Sequence, residues 1–80
     1  MNNVQFNELS GRIDGVARVL MAVIADLEMQ ERLDGNRFCQ RLRRYADGRS
    51  QYQEHLKCVQ VIRQIADELD AARLNRSEGH

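Results

Sequence analysis

The chain has no proline, no tryptophan, two cysteines, and only two tyrosines and two phenylalanines among its 80 residues. Without proline there are no rigid kinks, which suits a chain that is helical nearly throughout. Two cysteines make a weak disulfide framework; Cys39 and Cys58 fall at apolar helical positions and are expected as reduced, buried thiols. The five glycines occur singly, so there is no glycine-rich loop to cradle a phosphate. Neither sign of charge dominates: 12 basic residues balance 12 acidic ones, and the pI is about 6.7. General attraction to nucleic acid or to a membrane surface is therefore not expected. The apolar run Val19 to Ala25 is far short of the roughly 20 residues that span a bilayer. The N-terminus, MNNVQFNEL, has neither a basic leader nor a cleavage-like site, and the expected location is the cytoplasm.

What is present is apolar periodicity. Phe6, Leu9, Ile13, Val16, Leu20, Val23 and Leu27 are spaced 3, 4, 3, 4, 3, 4. Only a helix with a period near 3.5 aligns these side chains, so they form a heptad seam. In the middle of this helix, Val19 and Ile24 flank the seam, and Met21, Ala22 and Ala25 fall on what should be its wet side. A helix that is apolar nearly all round is normally buried nearly all round. A second line, Gly11, Gly15, Arg18, Ala22 and Ala25, is mostly small and is a candidate close-approach surface. With Met21 these residues are the expected oligomer or partner interface. Arg18 opposes a symmetric contact centred on it, because like charges would meet.

The periodicity predicts helix 1 over about 3–33, capped by Asn2 or Asn3, with Gly35 as its left-handed terminator and Asn36 capping the next helix. The acidic end of helix 1 is a possible basic-partner site or a solvated face. Helix 2 is expected over about 37–47, with an apolar stripe of Phe38, Leu42 and Tyr45, ending at Gly48. Ser50 and Gln53 fit a capping box that opens helix 3, expected over about 51–74. Its predicted main face is His55, Cys58, Ile62, Ile65, Leu69 and Ala72. Residues 75–80 are expected as a polar tail.

The implied fold is all-α: an antiparallel hairpin of two long helices, 1 and 3, with a short middle helix. Eighty residues make one domain at most, and so small a core commonly needs another subunit. Oligomerisation is therefore expected to complete a helical bundle, most simply as a homodimer.

Little in the sequence points to catalysis. His55 and Cys58 share a helical face, but no spacing supplies the other ligands of a metal site or a catalytic partner set. No enzyme activity, cofactor or metal is expected. The densest chemistry is basic: Arg37, Arg41, Arg43, Arg44 and Arg49 against Asp47 give a local charge of +4. These arginines suit an acidic protein surface. The expected function is a small non-enzymatic protein-binding module, an adaptor, chaperone-like subunit or inhibitor of bacterial or phage type. The alternative is a nucleic-acid-binding regulator that uses helix 2, whose connection to helix 3 has the outline of a helix-turn-helix.

Overall fold

A computed structural model describes residues 3–78, Phe6 by its backbone alone. The order is α1 (Asn3–Met29), α2 (Gly35–Arg49), a one-turn 3₁₀ segment (Gln53–His55) and α3 (Leu56–Glu78). The all-α class holds among the described residues. The expected Asn2 cap and the last two tail residues lie outside them. Residues 75–78, expected as tail, are the last turn of α3.

The close-packed pair is α2 against α3, not helix 1 against helix 3. The reason lies in residue size. Cys39 and Ala46 on α2 and Ala66 on α3 are completely buried, with Val59 and Leu69 nearly so. Small side chains let two backbones come close, which a seam of leucines and valines does not. Met21, Ile24, Phe38, Leu42 and Ile65 then pack around Cys39, Ala66 and Leu69. Tyr45, expected on the stripe of α2, is instead exposed.

The long helices meet in the same sense. Glu28 near the end of α1 pairs with Arg73 and Arg76 near the end of α3, and Met21 lies in the cluster with Ile65. Two short reversals, before and after α2, leave the first and third helices parallel, so the expected antiparallel hairpin of the two long helices does not form. Only one face of α1 is used, along Ala17, Met21, Ile24 and Glu28. The radius of gyration is 14.7 Å, against about 12 Å for a compact chain of this length. The longest extent, 45 Å, matches the roughly 40 Å axis of a 27-residue helix.

The turns differ from expectation in detail. Helix α1 ends four residues earlier than predicted, at Met29. Glu31 takes the left-handed backbone (φ 60°), while no described glycine has positive φ. Arg32 N–H donates to Leu27 carbonyl at 2.9 Å and Glu31 N–H to Glu28 carbonyl at 3.0 Å, a Schellman closure. Asp34, not Asn36, caps α2 by accepting from Arg37 N–H at 3.1 Å. Gly35 has a different task from the one expected: a Cβ there would overlap the Glu28 carboxylate and the Arg73 guanidinium. Gly48 stays within α2. Ser50 closes that helix, its hydroxyl donating to Asp47 carbonyl at 2.8 Å, so the capping box with Gln53 does not form.

Candidate partner interface

The seam of α1 is mostly uncovered. Ile13, Val16, Val19 and Leu20 are 59, 61, 64 and 56% exposed, and Leu9 and Val23 are about half exposed. These side chains form one continuous face, adjacent to the face that packs on α3. Helix α1 is therefore apolar on two neighbouring sides, and its own chain covers one. Each half-exposed aliphatic stands to gain about 1 kcal/mol on being covered.

The small-residue line has the opposite character. Gly11 and Gly15 look into open space, and Ala22 is exposed. Arg18 is held within its own helix by Asp14 at 2.9 Å, and this hydrogen bond raises its pKa. Met21 and Ala25, expected on the wet side, are half-buried, Met21 within the α3 contact. The expected interface set is therefore not one surface. Between α1 and α3 an open groove of about 350 Å³ runs past Ile13, Ala17, Met21, Val61 and Ile65.

Besides the apolar contacts of Met21 and Ile24, α1 is held on α2 and α3 by ion pairs. Arg73 Nε donates to Glu28 Oε1 at 2.6 Å, and its Nη1 donates to Asp70 at 2.6 Å and to Asn36 Oδ1 at 3.0 Å. Burial works against the Arg73 charge, but hydrogen bonds to Asp70, Glu28 and Cys39 outweigh it and raise the pKa. The Asp70 carboxyl is held below its usual range, first by Arg73 and, against burial, by Arg43. Glu28 Oε2 is buried and accepts no hydrogen bond, although Arg76 lies 3.6 Å away as an ion pair. Burial pushes the Cys39 thiol up, with Arg73 Nη2 3.6 Å from its sulfur pulling the other way. An open pocket of about 680 Å³ adjoins this knot, lined by Glu28, Leu33, Asn36, Arg73, Arg76 and Ser77.

The basic helix divides into two groups. Arg43 is half-buried and pairs with Asp67 and Asp70, both at 2.7 Å, and their hydrogen bonds raise its pKa. Arg49 lies over the Tyr45 ring at 5.2 Å, with its Nη1 3.4 Å from His55 Nε2. Arg37, Arg41 and Arg44 are exposed, have no ion pair among the described residues, and share one helical face by their spacing of 4 and 3. Asp47 pairs with Arg63 at 2.7 Å and does not offset them.

Cys58, expected in the core, is exposed. His55 packs edge-on against Tyr52, ring centres 5.9 Å apart. The residues that sequence reasoning missed are Glu28, Arg73 and Arg76. Arg73 and Arg76 continue the α3 line Val59, Ile62, Ala66, Leu69 at helical spacing, but a search for apolar residues passes over arginine, and Glu28 on α1 reads only as part of the acidic end of its helix.

Compared with family models, with curated proteins and with solved structures, the chain matches none. No helix among the described residues is long and apolar enough to cross a membrane.

Proposed function

We propose that the protein is a small non-enzymatic protein-binding module, an adaptor, chaperone-like subunit or inhibitor, that works by burying the open face of α1 against another polypeptide. The observation that carries this is the continuous exposed row Leu9, Ile13, Val16, Leu20 and Val23, with Val19 beside it. Contiguous apolar surface rimmed by charge marks an association site. Arg37, Arg41 and Arg44 form a second surface, suited to acidic groups on what is bound.

The test is a Val16→Glu, Leu20→Glu double variant. Both positions are remote from the α2–α3 core, so the variant keeps its far-UV spectrum and urea midpoint at low concentration while association is lost. Unchanged association in this variant rejects the face.

A nucleic-acid reading draws on the same three arginines. Three phosphate contacts give a salt slope of only about −2.7, which is weak, non-specific binding. Replacing Arg37, Arg41 and Arg44 with Glu abolishes any such binding, and failure of the wild type to bind DNA or RNA at low salt ends this reading.

A further inference from the structure

We infer that the open face of α1 takes a second copy of the same chain, with the two α1 helices antiparallel and the two-fold axis beside Val16, Val19 and Leu20. This rests on the proposal that the face is an association surface, and adds the partner and the register.

The argument is self-complementarity, which a symmetric dimer requires of one patch. In an antiparallel pair, the two seam residues of each layer have numbers with a constant sum. Setting that sum at 36 opposes Leu9 with the second copy's Leu27, Ile13 with its Val23, and Val16 with its Leu20, and then the same layers in reverse. Every layer is aliphatic against aliphatic. Raising the sum by one heptad cuts the seam from six layers to four, and lowering it by one heptad drops Leu27 and sets Arg12 against the second copy's Val19.

Charge selects the same arrangement. The positions flanking the seam on the side away from α3 are Arg12, Val19 and Asp26, seven residues apart. Pairs on this flank sum to 38, two above the seam layers, because the flank lies to one side of the seam; Arg12 then faces the second copy's Asp26, and Val19 its own equivalent at the axis. Flanking positions of this kind set orientation in helix pairs through their ion pairs. Asp26 has no ion pair among the described residues, and Arg12 is held only by exposed Glu8 one turn away, at 2.6 Å. The parallel alternative instead leaves Asp26 with no helical position opposite it, because α1 ends at Met29. It also needs Ile24, which is already packed against the α2–α3 core. The exposed Val19, otherwise anomalous at a flanking position, is explained by the axis.

Charge reversal tests the register. Arg12→Asp and Asp26→Arg each weaken self-association about tenfold at low salt, since each acts twice across the axis. Mixing the two single variants gives a heterodimer in which both contacts pair opposite charges, so it associates at about the wild-type level, as does a chain that combines both substitutions. A second readout is orientation. In a Cys58→Ser background, Ile13→Cys and Val23→Cys chains cross-link to each other on mixing and neither cross-links to itself. In a parallel pair those two positions are about 15 Å apart along the axis and each cross-links to its own kind. Self-cross-linking, or dimers insensitive to both reversals, overturns the register and leaves the association surface standing. A monomer at every concentration overturns self-pairing, and the association surface is then judged by the Val16→Glu, Leu20→Glu variant alone.

Discussion

At the residue scale, the decisive group is Arg73. It sits on the core-facing line of α3 and ties α1, the start of α2 and its own helix through Glu28, Asn36 and Asp70. A buried pair that loses one partner costs about 3–5 kcal/mol, because the other charge is left uncompensated. The sequence shows an Arg at that position, with Asp70 one turn before it, but not the distant partners, which lie 34 to 45 positions earlier. Acid should reveal the knot. Asp70 has a lowered pKa when folded, so the unfolded chain binds its proton first. Its contribution is complete above the unfolded value, near about 3.9, and is lost as pH falls through the lower folded value. Urea midpoints followed by circular dichroism are expected to fall below that range, and Asp70→Asn flattens the fall while lowering the midpoint at neutral pH. An unchanged acid profile in Asp70→Asn removes this carboxylate from the account.

At the element scale, helix existence and order were legible, and helix ends and faces were less so. The 3,4 spacing in α1 and the aspartate–glycine–asparagine turn place the first two helices within a few residues. The end of α1 was misplaced because its left-handed residue is Glu31, which no composition rule nominates. A non-glycine residue there costs about 1–2 kcal/mol relative to right-handed backbone. Glu31→Gly is therefore expected to stabilise the fold by about 0.5–1 kcal/mol, read as an upward shift of the urea midpoint. Destabilisation would show that the Glu31 side chain matters more than its backbone. The face of α3 was rotated in the sequence reading because His55 and Cys58 were counted with the apolar set. The structure keeps Ile65 and Leu69 of that face, centres the contact on Val59 and Ala66, which widen it, and leaves Cys58 exposed.

At the scale of the whole molecule, the 3,4 spacing identifies one apolar face of α1; the expected hairpin turns it toward helix 3, and the structure leaves it mostly uncovered. Periodicity tells which side chains share a face. It does not tell which neighbour covers that face, and the small residues that bring α2 onto α3 carry little weight in a hydrophobic pattern. The candidate site was legible in part: the apolar row and the arginines were visible, while the withdrawal of Arg43 into pairs with Asp67 and Asp70 depended on the fold.

The central claim is that the open face of α1 is covered by a second chain. Light scattering from micromolar protein upward, at low and high salt, measures this directly. The account predicts a concentration-dependent mass that rises to twice 9.3 kDa and goes no further, with some weakening in high salt as the Arg12 and Asp26 contacts are screened. A mass that stays at 9.3 kDa throughout would contradict self-pairing.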